Sequence, residues 1–243
     1  MAKDQNRVQT VRPGASPSRR RRASPVVALR RELIVSTALA LVDREGLKAL
    51  SMRRLGAELG VDPMAIYYYL PNKQALLDAI VEAVMTGIDL SVDIPAASPE
   101  QRILRAARAY RDAMLAHVNA LPVVLSHGPA TEAALRPVEL LTGILRDAGL
   151  GPGEAFSGMN VIAAAVRGFA GMIASGGGKA PSGEQIQAMS LAFPTDEFPY
   201  LREAMPFACE FPDRGFEFGI RALARGLLAH GRCGVNEKSE YAQ

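Results

Sequence analysis

Apolar positions recur at three- and four-residue spacing along nearly the whole chain, which predicts an all-α protein. Over residues 26–45, Leu29, Leu33, Ile34, Ala38, Leu41 and Val42 define one amphipathic helix, ended by Gly46. Ser51 is placed to cap a second, with Met52, Leu55 and Leu59 on one stripe and Gly60 as a left-handed terminator. Asp62 and Pro63 restart the chain as an N-cap and a first helical residue, and Pro71 limits this third helix to about two turns, because helical geometry is disfavoured before a proline. Asn72 caps a fourth helix, in which Leu76, Leu77, Ile80, Val84 and Ile88 continue on one face.

A loop over residues 91–100, marked by Pro95 and Pro99, separates this head from a larger helical body. Residues 100–119 carry Ile103, Ala107, Tyr110 and Met114 on one side and Arg102, Arg105, Arg108 and Arg111 on another, the arginines reading as a solvated face. A short turn or helix at 122–127 and a helix over 131–148 follow. The helix over 153–175 is apolar around much of its circumference and must be covered on both sides. A weak, proline-interrupted region to Phe211 leads into a last helix over 213–230, striped by Phe216, Ile220, Leu223, Ala224 and Leu227. The expected organisation is a disordered basic arm (1–25), a three-helix head with a linking helix (26–90), a body (91–233) and a disordered tail (234–243).

Charge sharpens this picture. The net charge is +3, but residues 1–31 hold nine basic side chains against Asp4, a net of +8 that leaves −5 on the remainder. A basic arm on a mildly acidic body points to a polyanion touched by one end, through phosphate or minor-groove contacts. The N-terminus is polar and arginine-rich, without the apolar core of a signal peptide, and no uninterrupted apolar run reaches about 20 residues, so a cytoplasmic protein with no membrane partner is expected.

Candidate chemistry is sparse. His117, His127 and His230 lack metal-ligand spacing, as do Cys209 and Cys233, so no metal or cofactor is expected and the cysteines read as free thiols. Ser126 and His127 are sequence neighbours and cannot face each other on a helix. The stretch GGGKAPSG over 176–183 lacks the first glycine of a phosphate loop and has Ala180 where Ser or Thr must follow the lysine. No enzyme is implied.

Two short helices joined by a glycine-containing turn form the helix-turn-helix of DNA-binding proteins, whose second helix enters the major groove. Here that helix carries Tyr67 and leads into Tyr68 and Tyr69, an aromatic run that a buried helix of this length does not need. Over LSMRRLGAELGVDPMAIYYYLPNKQALLDAI the chain resembles the TetR family of bacterial transcriptional repressors, and FEFGIRALARGL is similar to the last helix of the tetracycline-repressor type of body.

The resemblance implies a homodimer bound to a palindromic operator and released by a small-molecule effector. It places Arg53, Pro63, Met64, Ala65, Tyr67, Tyr68 and Tyr69 toward DNA and Lys73 on a phosphate. It also gives an effector pocket of Tyr110, His127, Leu141, Phe156, Met159 and Asn160, suited to a mostly apolar ligand. A dimer interface of Ala163, Val166, Ala170, Ile220, Leu223 and Leu227 follows. The histidines that serve magnesium-tetracycline in the family are absent here: TGIDL stands at 86–90 and Val124 at the second position. The alternative is an effector-independent architectural DNA-binding protein, recognisable by nearly equal affinity for random DNA and for its best site.

Overall fold

The computed structural model describes residues 28–128, 131–177, 181–192, 197–210 and 214–240, and among these it contains helices and turns but no strand. The basic arm expected over 1–25 lies outside the described residues. Helix α1 (Arg31–Glu45) begins later than the periodicity suggests, because Arg30 is extended (φ −146°, ψ 157°), and it buries Ile34, Val35, Ala38, Leu41 and Val42.

The next three helices begin where side-chain caps satisfy their orphan amides. Ser51 Oγ accepts from the Arg54 amide (3.2 Å) and opens α2 (Met52–Leu59). Asp62 Oδ1 accepts from the Met64 amide (2.8 Å) and opens α3 (Pro63–Tyr67). Asn72 Oδ1 accepts from the Ala75 amide (2.8 Å) and opens α4 (Lys73–Thr86). Between α2 and α3 the chain reverses through Gly60, whose φ of 69° is the left-handed conformation that a β-carbon resists.

Close packing of α2 on α3 depends on Gly56. A β-carbon there would lie 2.9 Å from the Val61 carbonyl oxygen and 3.2 Å from Pro63 Cγ, so the turn itself would have to shift. Gly56→Ala is therefore expected to destabilise the head by about 1–3 kcal/mol, the usual cost of overpacking. Thermal denaturation checks this; an unchanged melting temperature would show that the turn yields freely.

One apolar core runs from the head into the body. Ile34, Leu41, Leu55 and Ile66 join Ile80 and Val84 of α4, then Leu121 and Val124 of α6 (Leu121–Ser126), with Ala134 and Ala170 beyond. A second core gathers α5 (Pro99–Ala116), α7 (Glu132–Asp147), α8 (Pro152–Met172) and the C-terminal helix around Ile103, Ile144, Ile162 and Ile220. Helix α4 thus belongs to the head by sequence and to both parts by packing. A further clasp joins them: Asn119 Nδ2 donates to the Asp43 carbonyl (2.8 Å), and His117 Nδ1 lies 2.8 Å from Asp43 Oδ2.

The structure departs from the sequence pattern in several places. The arginine face of α5 is tied down rather than solvated: Arg102 bonds Asp93 (2.8 and 2.9 Å) and Asp147 (3.0 Å), Arg108 pairs with Glu217, and Arg111 lies 4.5 Å over the Phe216 ring. The region expected to be irregular before Phe211 contains α9 (Gly183–Ala192) and α10 (Pro199–Ala204), which hold Leu191 and Tyr200 largely exposed. The last helix, α11 (Phe216–Glu240), starts at Phe216 and runs on to Glu240, past residue 234 where a tail was expected, since nothing from 231 onward includes a proline. Residues Pro152–Ser175 are long and apolar enough by composition to cross a membrane. The helix carries Glu154 and Arg167, however, and buries Ala155, Met159, Ile162, Val166 and Ala170 inside the protomer, the arrangement of a helix in a protein core.

Candidate functional site

At the tip of the head, Ile66 is fully buried while Met64 and Tyr68 on the other side are 72% and 86% exposed. Burial of one face fixes the helix, and large side chains held in water on the opposite face mark a surface meant for contact. Arg53, Tyr67 and Lys73 are exposed beside them, and Pro63 and Ala65 are half-buried. Arg53 and Lys73 make no ion pair among the described residues. The neighbouring Arg54, by contrast, bonds Glu45 (2.8 Å) and reaches Glu58 (3.5 Å). Two cations are thus left available for phosphate or base edges.

Tyr69, also exposed, makes a contact within the head as well. Its hydroxyl donates to the Leu29 carbonyl (2.8 Å) and its ring stands edge-on to Tyr68 at 5.2 Å, so it holds the entry of α1 against the end of α3.

In the body, all six residues expected at an effector pocket line one cavity of about 250 Å³: Tyr110 from α5, His127 after α6, Leu141 from α7, and Phe156, Met159 and Asn160 from α8. Val81 and Met85 of α4 form part of its wall. The lining is mostly apolar with a few polar groups, the usual make-up of a small-molecule site. His127 Nδ1 lies 3.0 Å from the Val123 carbonyl oxygen, and Asn160 Nδ2 donates to the Phe156 carbonyl (2.9 Å). Burial raises the Tyr110 phenol above its ordinary pKa, and the adjacent Arg167 guanidinium opposes that rise. Arg167, which also lines the cavity, was missed in the sequence; its signal was the one charged residue in α8 after Glu154. Among the described residues no cluster of His, Cys, Asp and Glu could hold a metal ion.

The family model for bacterial regulatory proteins of the tetR family matches residues 34–80, and the tetracyclin repressor-like C-terminal domain matches residues 95–230. The chain belongs to the TetR family. It is a ligand-responsive, DNA-binding transcriptional repressor. The tetracycline repressor protein class C of Escherichia coli is 31% identical over 211 residues, covering 82% of this chain and 90% of the relative. Apo ActR from Streptomyces coelicolor shares 29% identity with a TM-score of 0.74 over 85% of this chain and 98% of that one. The same protein in complex with actinorhodin gives 29% and 0.73, over 84% and 97%.

For a TetR-family homodimer the expected interface residues need correction. Val166, Ala170 and Ile220 are buried in the protomer's own core, and Ala163 lines the cavity. Leu227 packs across α8 so closely that a β-carbon on Gly158 would meet it at 3.2 Å. Leu223 alone of the six stays at a half-exposed edge without such a contact described. The most apolar stripe of each helix turned inward because α5 and α7 needed covering. The outward stripe of α8 consists of Gly153, Ser157, Val161, Ala164 and Gly168, and α11 presents Phe218, Ala222, Gly226 and Ala229.

Proposed function

We propose that this repressor binds a palindromic operator in the bacterial cytoplasm as a homodimer, docking α3 of each protomer in the major groove, and that a mostly apolar aromatic ligand in the body cavity releases it. The observation that carries this reading is the double membership of α4. Lys73 opens the helix beside the tyrosines, and Val81 and Met85, roughly 12 and 18 Å further along it, face the cavity. A ligand that displaces this wall moves the DNA end of the same rigid element, and a two-fold dimer reads the shift as a changed half-site spacing. The ligand needs only to bind the released state better, by about 1–3 kcal/mol in typical coupled systems. The actinorhodin complex of ActR supports a polycyclic aromatic ligand class.

The dimer surface in this reading is the outward face of α8 and α11. A β-carbon on Gly153, Gly168, Gly219 or Gly226 would touch nothing among the described residues, so these positions leave room for a partner's backbone.

Fluorescence anisotropy with promoter DNA flanking the protein's own coding sequence tests both halves. Tyr67→Ala and Lys73→Ala are expected to weaken binding to every sequence, and Arg53→Ala to relax discrimination at one base step by about 1–3 kcal/mol. Phe156→Ala and Asn160→Ala are expected to bind DNA normally and to lose ligand-induced release. Normal release by both cavity variants would assign those residues to packing alone.

A further inference from the structure

We propose that Arg167 makes the cavity selective for an organic acid, an aromatic molecule whose ionised oxygen is held where Arg167 meets Tyr110. The inference rests on the reading of the cavity as the ligand site and names the class of ligand it takes.

On α8, Phe156, Asn160, Ala163 and Arg167 fall at successive three- and four-residue steps, so they share one face, and all four line the cavity. Several other arginines of the body sit on a carboxylate: Arg102 on Asp93 and Asp147, Arg108 on Glu217, Arg225 on Glu100. Arg167 is half-buried and makes no salt bridge among the described residues. A cation facing a mainly apolar cavity without a counter-ion is unfavourable unless something brings the counter-ion in, and a bound anion does so.

The other polar groups of the wall are partly engaged. His127 Nδ1 is turned to its own helix, 3.0 Å from the Val123 oxygen and 2.9 Å from Ser126 Oγ. One amide hydrogen of Asn160 is given to the Phe156 carbonyl. Asp89, the one carboxylate of the lining, takes two bonds from Ser91, from its amide (2.9 Å) and its hydroxyl (2.6 Å), and is exposed. Beside Arg167, Tyr110 is the neighbour that completes an acid site, because a phenol oxygen that accepts from a guanidinium keeps its own O–H to donate. A guanidinium and a phenol O–H on one wall of the cavity suit a carboxylate or an ionised phenol.

Isothermal titration with two probes of one shape decides it: anthracene-2-carboxylate, and the neutral anthracene-2-methanol. Wild-type protein is expected to bind the carboxylate roughly tenfold or more tightly than the alcohol, the range of a hydrogen bond to a charged group. Arg167→Met is expected to lose that preference while still binding the alcohol, and Tyr110→Phe to lose part of it. Equal binding of both probes by the wild type, or an undiminished preference in Arg167→Met, would overturn the acid assignment and leave the cavity as the ligand site. Binding of neither probe by the wild type would overturn the cavity reading and this inference with it. The wild-type preference is read without any variant, so an Arg167→Met protein that fails to fold does not remove the test.

Discussion

Ala164→Glu is expected to leave the protomer folded, to abolish the dimer, and to lower operator affinity roughly 100-fold or more, because two linked half-site contacts become two independent ones. Ala164 is exposed on α8, between Val161 and Gly168, on the face that has no covering among the described residues. A glutamate on that face costs a monomer nothing. Across a two-fold axis it places unpaired carboxylates in a packed interface, which is strongly unfavourable. Val166→Glu, two residues further on, supplies the contrast: Val166 is fully buried in the protomer core, and its variant should unfold rather than dissociate. Sedimentation and anisotropy together check this pair. An intact Ala164→Glu dimer would move the interface off α8.

Arg102→Met is expected to destabilise the body by about 1–3 kcal/mol at neutral pH, between the scale of an exposed ion pair and that of a fully buried one, because this pair is partly buried. The side chains of Arg102 and Asp93 are only 11% and 12% exposed, so removal of the cation strands a carboxylate with little solvent. Asp147 is 65% exposed and adds little. The pH dependence follows from the sign of the shift. Arg102 holds the Asp93 carboxyl below its ordinary pKa. Its contribution is therefore complete above the unfolded value of about 3.9 and is lost as pH falls through the lower folded value. In Arg102→Met the two Arg102 contributions are gone, and burial, which raises that pKa, is opposed only by the smaller effect of the Ile94 backbone hydrogen bond, so the variant loses less stability than the wild type on acidification. Chemical denaturation at pH 7 and near pH 4 should show the gap between the two proteins narrowing. A constant gap would mean that Asp93 titrates normally in both.

How much of this was legible in the sequence depended on the range of the interaction. The head's caps were readable because Ser51, Asp62 and Asn72 satisfy amides two or three residues away. Arg102 was misjudged as solvated because its partners lie outside its own helix, at Asp93 and, 45 residues off, Asp147, and the bond of Tyr69 to Leu29, 40 residues away, left no local signal. Periodicity marked the stripes of α8 and α11 correctly as apolar. It carries no information on which neighbour covers a stripe, and so Val166, Ala170 and Ile220, assigned to the partner protomer, turned out to serve the core. The cavity residues came from the family resemblance rather than from spacing, since a ring of side chains drawn from four helices leaves no local pattern. The arginines of α5 show the same limit: four cations at helical spacing look alike until the acids facing them are placed.

The clasp between Asp43 and the segment at His117 and Asn119 has a mechanical corollary. The head meets the body through α4 and again through this contact at the end of α1, and a rigid object held at two separated points keeps one easy freedom, rotation about the line that joins them. Translation and twist in other directions would strain one attachment or the other. The contact residues immediately precede α6, whose final turn leads to His127 at the cavity wall. The bearing at one end of the axle is therefore built into the same short segment that reaches the cavity wall, so in the proposed reading a ligand in the cavity would set the position of the axis as well as the angle turned about it.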